Sequence, residues 1–358
     1  MHQVDLGQVR RLAVHVCLIV SALVVALPAS AAEPAGDADA FALVARARAL
    51  HDIKALAATA FRLRGEVALG RMASGPKNGD YLLVRHGAEH WFERIGFPGY
   101  QEVRGRAGGQ AWRRRNTVDR PQRVHQTIWT LELLAHLELP EQATASAVSA
   151  RAVAGRSARC ATFSPTRLLW QHDRAGQVAK PLVTPDPRRE VELCFDDQTG
   201  ALLRADYGPP LYAYEYTGEL RLGPVLVPRV ARCLEEDDVI VEATVTEFAE
   251  DPDTLPGTVP KNAESWPHCD RPSPPVLKTK GIIPEVPLAR VRRQFGTVIA
   301  CAEVGRDGFI HDLVFIQGPH AVLNHEVQKG VGAWEYEPAA CSGEPVPMSV
   351  LIAVTFPP

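Results

Sequence analysis

The sequence predicts an α+β chain: an antiparallel β-sheet with two helices in its first part, and a small ββαβ unit at its end. Three observations carry this. Most of the stretch from Phe61 to Glu250 alternates apolar and polar residues by twos, as half-buried strands do. Two segments replace that alternation with apolar residues at helical spacing. Nine prolines between Pro252 and Pro287 then set a compact last segment apart.

In chain order, Arg10 and Arg11 precede an apolar run from Leu12 to Leu27, followed by Pro28 and the small residues Ala29 and Ala31. A basic start, a short apolar stretch and small residues describe a secretory leader over 1–31, cut after Ala31 or Ala32. Its run is shorter than the ~20 residues a spanning helix needs. The expectation is an exported, periplasmic protein; retention of the segment would instead anchor the chain in the inner membrane.

A β-rich body is expected over 38–250. It opens with a helix from Asp39 to Ala58, whose Leu43, Ala47, Leu50 and Ala57 recur on one side. Strand alternation begins at Phe61, with Leu63, Val67 and Leu69, and continues past the Asn78-Gly79 turn signal through "DYLLVRHGAEHWFERI" and "GYQEVRGRAGGQAWRRR". Pro121 opens a second helix with a stripe of Val124, Ile128, Leu131, Leu134 and Leu137. Strand signals return in "CFDDQTGALLRADYG", "LYAYEYTGEL" and "VIVEATVTEF". Residues 251–287 read as a proline-rich, semi-rigid linker, and 288–358 as a second domain.

That domain has two strands around Arg306-Asp307-Gly308, a helix carrying Leu323, Val327, Val331 and Trp334, and a terminal strand. In the terminal strand Val346, Met348, Val350, Ile352, Val354 and Phe356 share one face; Pro347, Ser349, Leu351, Ala353 and Thr355 share the other. A strand at a sheet edge offers its free backbone groups to another chain.

Composition excludes one class. With 39 Lys+Arg against 42 Asp+Glu and a net charge of −3, no basic excess exists to neutralise nucleic-acid phosphates. Of seven cysteines, Cys17 lies in the leader. The others fall in sequential couples, Cys160–Cys194, Cys233–Cys269 and Cys301–Cys341, expected as disulfides in an exported chain. No C-x-x-C pair supports zinc instead.

Catalytic signatures are scarce. "HGAEH", from His86 to His90, matches an H-x-x-E-H zinc-hydrolase pattern through His86, Glu89 and His90, but that chemistry needs a helix and Gly87 opposes one. "HEVQK" at His325 ends in Lys329 where a second imidazole is needed. No nucleophile elbow, phosphate loop or dinucleotide fingerprint occurs. The expectation is a non-enzyme with no cofactor and no metal.

The last 68 residues, Val291 to Pro358, resemble the C-terminal domain of the TonB family in the order Gly296-Thr297-Val298, "VGRDGFIHDLVF", helix, "AWEYEPA", a Gly-Glu-Pro-Val turn and a strand ending at Phe356. The resemblance implies a ββαβ fold that binds a protein partner, the N-terminal peptide of an outer-membrane transporter, by strand addition. It puts the docking edge at Ser349, Val350, Leu351, Ile352, Ala353 and Val354. Energy transduction is not expected, because cleavage of the leader would remove the apolar helix that the family retains in the membrane. The body more weakly resembles the LolA-like lipoprotein-carrier fold, a curved antiparallel sheet wrapped over helices, through "GDYLLVRHGAEHWFE" and "CFDDQTGALLRADYG". That resemblance implies a lipid in the body, with Trp91, Trp112, Trp129, Tyr212, Tyr214 and Tyr216 as lining candidates.

Overall fold

The computed structural model describes residues 35–56, 59–70, 77–87, 89–132, 143–164, 166–172, 178–185, 190–207, 212–235, 237–251, 259–269, 271–280, 296–318 and 321–356. The leader, Leu134, Leu137 and most of the junction before Gly296 lie outside them. Two compact units emerge. A front unit takes residues 32–101 and 123–255, and a C-terminal unit takes 102–122 and 256–358.

The front unit starts with helix α1 (Ala35–His51) and a short 3-10 turn over Ile53–Leu56. Ala40, Leu43, Val44 and Ala47 are buried at the i, i+3, i+4, i+7 spacing that makes one helical stripe. Strands β1 (Phe61–Leu69), β2 (Lys77–Arg85) and β3 (Trp91–Phe97) follow as antiparallel hairpins. β1 shows strict alternation, with Phe61, Leu63, Val67 and Leu69 inward. β4 (Tyr100–Ala107) and β5 (Gln110–Arg115) lead to helix α2 (Gln122–Glu132).

After α2 come β6 (Thr144–Ala145), β7 (Ser149–Val153), β8 (Arg156–Ser164), the separate hairpin of β9 (Thr166–His172) and β10 (Val178–Pro185), then β11 (Val191–Asp196), β12 (Leu202–Asp206), β13 (Tyr212–Leu222), β14 (Val225–Glu235) and β15 (Asp238–Glu250). Their order in the front unit's sheet is β3-β2-β1-β15-β14-β13-β12-β11-β8-β6, with β7 also on β8. β15 closes back on β1, from Phe61↔Glu250 to Leu69↔Val241. One apolar core joins this sheet to α1 and α2.

The C-terminal unit contains β16 (Glu264–Pro267), β17 (Val276–Thr279), β18 (Gly296–Val304), β19 (Ile310–Gln317), helix α3 (Ala321–Val331), β20 (Glu335–Glu337), β21 (Ala339–Cys341), β22 (Glu344–Val346) and β23 (Met348–Phe356). β19-β18-β23 form one sheet, β17 pairs β20, β21 pairs β22, and β16 pairs β5. Its core gathers Val298, Ala300, Leu323, Val327, Val331, Trp334 and Ile352, with Val350, Val354 and Phe356 packed on it.

The fold-class expectation is corrected here. The chain is mostly β, a large antiparallel sheet with three α-helices among the described residues, rather than α+β. Its end is not a small ββαβ domain. Between α3 and β23 the chain adds three short strands, and the unit also takes in β16, β17 and residues 102–122 from far upstream. Proline allows these insertions because β16 and β17 are short strands with proline at or just before their ends, where no ladder donor is needed.

Cysteine pairing is corrected as well. Cys160–Cys194 forms as expected, between directly opposed residues of β8 and β11. The other bond is Cys269–Cys341, so the Cys233–Cys269 and Cys301–Cys341 couples do not form, and Cys233 is a buried thiol. Cys233 turns into the front core opposite Tyr214.

Candidate ligand-binding face

On β13, Tyr212, Tyr214 and Tyr216 alternate onto one face. They stand opposite Glu235, Cys233 and Ala231 of β14. Tyr207, just past β12, meets Tyr214 edge to face with ring centroids 5.9 Å apart. All four rings and Cys233 join the front core, as do Val124, Ile128, Trp129 and Leu131 of α2. Trp129 and the three β13 tyrosines named from sequence are thus brought together. Trp91 stands half-buried at the start of β3, and Trp112 is buried on β5 in the C-terminal unit, so neither joins them.

α2 seats poorly for a core helix. Beside Val124 and Ile128 it also buries Gln126, Thr127 and Thr130 completely. Both threonine hydroxyls donate back to the carbonyl four residues earlier, Thr127 to Arg123 at 2.8 Å and Thr130 to Gln126 at 2.6 Å. Such back-bonding satisfies the hydroxyl but adds no apolar adhesion. Gln126 Oε1 accepts from Arg123 Nη1 at 2.8 Å and the Gln126 amide also acts on the Tyr212 hydroxyl; among the described residues its Nε2 and the buried Tyr216 hydroxyl show no well-formed hydrogen bond. Arg123 Nη2 reaches Glu235 Oε2 at 3.1 Å and ties the first turn of α2 to β14. A helix with half its buried face polar gains less from burial than an apolar one and is cheaper to open.

The tyrosine face is mostly neutral, with the Arg123–Glu235 pair at its Tyr212 end. Burial, aided by Glu235, pushes the Tyr212 hydroxyl up to about 12, and burial moves Tyr214 and Tyr216 well above the usual phenol range. Burial likewise pushes the Cys233 thiol up to about 12. That thiol carries almost no thiolate near neutrality and is a poor nucleophile. The face offers rings, apolar side chains and uncharged donors, a surface for a neutral or apolar ligand.

His51 fixes the end of α1 across the sheet. Its Nδ1 donates to Leu226 O at 2.7 Å and its Nε2 accepts from Leu202 N at 3.1 Å. Only a neutral ring does both, and burial holds its pKa below the ordinary value despite the Leu226 bond and Glu219. An unfolded imidazole takes up a proton near pH 6.5 and the folded one resists until lower pH. His51 therefore contributes full stability above about pH 6.5 and loses it as pH falls toward its depressed value. Urea midpoints of the front unit are expected to drop as pH falls below about 6.5, and His51→Gln is expected to remove that slope. An unchanged slope would count against the clamp.

In the C-terminal unit the notable chemistry is ionic. Asp312 adopts a left-handed backbone (φ 52°) within β19. Its carboxylate accepts twice from Arg115 Nη1, at 2.8 Å each, and from the Arg120 backbone N–H at 2.7 Å. Arg113 donates to Glu303 at 2.8 and 3.0 Å and to Glu264 at 3.3 Å. The Arg120 guanidinium forks onto Glu102. Burial pushes the Asp312 carboxyl up, but Arg120 and Arg115 outweigh it and hold it below the usual range. His311 lies between Asp119 (Nδ1, 3.2 Å) and Asp307 (Nε2, 2.9 Å).

The other sites read from sequence resolve as follows. His86 to His90 form the turn of the β2–β3 hairpin, where His86 N–H bonds His90 O at 2.8 Å, so the helix that zinc chemistry needs is absent there. Among the described residues no three His, Cys, Asp or Glu side chains gather as a metal site. The docking residues Ser349 to Val354 lie on β23, which pairs with β18 on one side and stands last in its sheet. Sequence reading missed Gln126, Tyr207, Cys233, Asp312 and His311 as members of clusters. The alternation in "LYAYEYTGEL" was the one signal that pointed to this face.

No known family's sequence model matches the chain, and no curated protein matches it. Solved structures do. A DUF1329 family protein from Desulfovibrio piger aligns at 10% identity and a TM-score of 0.39, covering 62% of this chain and 95% of its own. A LolA superfamily protein from Nitrosomonas europaea aligns at 10% identity and 0.37, covering 61% and 94%. MucB aligns at 13% identity and 0.29, covering 89% and 94%. At these values the likenesses carry no weight for function, and the chain's own geometry must decide. The comparisons show no TonB domain.

Proposed function

We propose that the protein is an exported, non-enzymatic binding protein that takes an apolar ligand, the acyl chain of a lipid or lipoprotein, between α2 and the tyrosine face of β12–β14. One observation carries this reading: α2, burying Gln126, Thr127 and Thr130 beside Val124 and Ile128, shares one core with the aromatic face of β12–β14, and among the described residues Gln126 Nε2 and the Tyr216 hydroxyl show no well-formed hydrogen bond. Two disulfides support an oxidising compartment, and the periplasm is the proposed site. No helix among the described residues is long and apolar enough to cross a membrane. The thiol and phenols under α2, held neutral by burial, favour binding over nucleophilic chemistry.

The test uses N-phenylnaphthylamine, a neutral fluorophore, with the mature chain. Saturable binding, displaced by lysophospholipid, is expected. Trp129→Ala is expected to weaken it by up to ~tenfold, the size of one lost aromatic contact. No binding, together with no lipid in organic extracts of the purified protein, would sink the reading.

A second reading has a separate observation behind it. The outer edge of β23, which pairs with no further strand among the described residues and carries nine uncharged residues from Met348 to Phe356, suits an extended protein segment added as a further strand. Such a partner is expected to slow amide exchange over 348–356 and to be indifferent to Trp129→Ala. Protection elsewhere, with 348–356 unchanged, would exclude this edge.

A further inference from the structure

We infer that hairpin β18–β19 is a proton-operated tether on the lead-in to α2, with His311 as its switch and exchange of ligand under α2 as its output. The output rests on the ligand reading given above; the tether does not.

Residues 116–120 belong to the C-terminal unit and continue through Pro121 into α2. Three contacts with β19 hold them, the weakest being the Asp312 backbone N–H to Asp119 Oδ1 at 3.4 Å. The Arg120 backbone N–H donates to Asp312 Oδ1 at 2.7 Å. Asp119 Oδ1 meets His311 Nδ1 at 3.2 Å, while Nε2 of the same ring meets Asp307 Oδ2 at 2.9 Å. Both ring nitrogens thus face carboxylates. Only the imidazolium has two N–H donors; a neutral ring has one and must present a lone pair to the other acid. The remaining proton stays with Asp307, which is nearer and on the same hairpin. Asp119 then faces a lone pair and keeps only the long bond from the Asp312 backbone N–H.

Every charged neighbour bears on that proton. Asp119, Asp307, Asp312 on the same strand and Glu303, opposite His311 on β18, favour the charged ring. Arg115 and Arg120 pair with Asp312, and Arg113 pairs with Glu303, which blunts the pull of those two acids. Burial draws the imidazole pKa down, but Asp307 and Asp119 overcome it, and the net shift is upward. A raised pKa means the Asp119 contact is fully present below about pH 6.5 and is lost as pH rises through the shifted value. His51 titrates on the other side of that window.

Without the Asp119–His311 contact the lead-in hangs from the Arg120 N–H bond to Asp312, the Arg120–Glu102 fork and the long Asp312 N–H bond, and α2 keeps Arg123–Glu235 at its first turn. Its polar seam then opens more often, so a ligand beneath it comes and goes faster at alkaline pH.

The experiment compares the mature protein with His311→Asn and Asp119→Asn at about pH 6 and 8.5. It reads hydrogen exchange over 116–121, corrected for intrinsic rates, and stopped-flow release of N-phenylnaphthylamine. Asp119→Asn leaves the His311–Asp307 pair on the hairpin untouched and guards against misfolding of His311→Asn. Wild type is expected to exchange and to release probe about threefold faster at the higher pH, the size an exposed ion pair supports. Both variants are expected to show neither change. The same pH dependence in all three proteins overturns the tether. Probe that binds and leaves at a pH-independent rate, with exchange at 116–121 still following His311, overturns the output. Failure of probe to bind at either pH defeats the ligand reading and the output together, while His311-dependent exchange still upholds the tether.

Discussion

Asp312→Ala is expected to destabilise the C-terminal unit by about 3–5 kcal/mol, the range for removing one partner of a buried ion cluster. Arg113 and Arg115 have side chains only 9% and 10% exposed, and Asp312 is 3% exposed. Removing the carboxylate leaves two guanidiniums close together with less negative charge between them, and strands the Arg120 backbone donor. Alanine also pays about 1–2 kcal/mol for the left-handed backbone that aspartate and asparagine tolerate better. Asp312→Asn keeps the shape, the backbone tolerance and one acceptor, so it is expected to fall between wild type and alanine. Urea unfolding followed by hydrogen exchange over 298–304 reports this unit directly. Because Asp312 is held below the usual carboxylate range, its contribution persists above a free acid's pKa and disappears as pH falls through the depressed value. An alanine variant within about 1 kcal/mol of wild type would mean the cluster is ornamental, as many exposed ion pairs are.

Loss of the Cys269–Cys341 bond ranks next. It closes a sequence separation of 72 residues, for which chain-entropy arguments give about 4 kcal/mol. Cys269→Ser with Cys341→Ser is therefore expected to free the segment around β16 and β17 and to lower the midpoint of the C-terminal unit. Cys160–Cys194, separated by 34 residues, is expected to matter slightly less. Peptide mapping without reduction decides the pairing: Cys269 should be linked to Cys341, and Cys233 should be alkylated only after unfolding. A Cys233–Cys269 link would refute it.

What could be read from sequence was local. The β1 alternation, the stripe on α1, the hairpin turn at Gln198-Thr199-Gly200 and the inward face of β23 depend on neighbours within a few positions, and residue pattern reports those. Which distant partner each element takes was not legible. "QAWRRR" announces a charged strand, but nothing near it says that Glu264, Glu303 and Asp312, some 150 to 200 positions later, supply its counter-ions. The proline-rich stretch reads as a spacer because proline opposes central strands, yet β16 and β17 need only a few ladder bonds. "IHDLVF" contains no glycine to advertise the left-handed turn at Asp312. The resemblance of the last segment to a ββαβ domain followed its order of features, and order alone cannot show strands recruited from elsewhere in the chain. The tyrosine face was visible as alternation on β13; its cover by a half-polar helix was not.

The ladder between β1 and β15 bears on how the protein comes into being. Phe61 finds its partner in Glu250, so β1 to β3 leave the ribosome as a ribbon with one open side and wait for nearly the whole front unit before that side is filled. Contacts so remote along the chain delay assembly, because the intervening loop must close before any pairing stabilises it. During that interval the inward residues of β1, Phe61, Leu63, Val67 and Leu69, are available to the wrong strands. The newborn chain therefore depends on a holding partner or on swift transit in an unfolded form. Mutations that weaken β15 should lower yield well before they alter the finished protein.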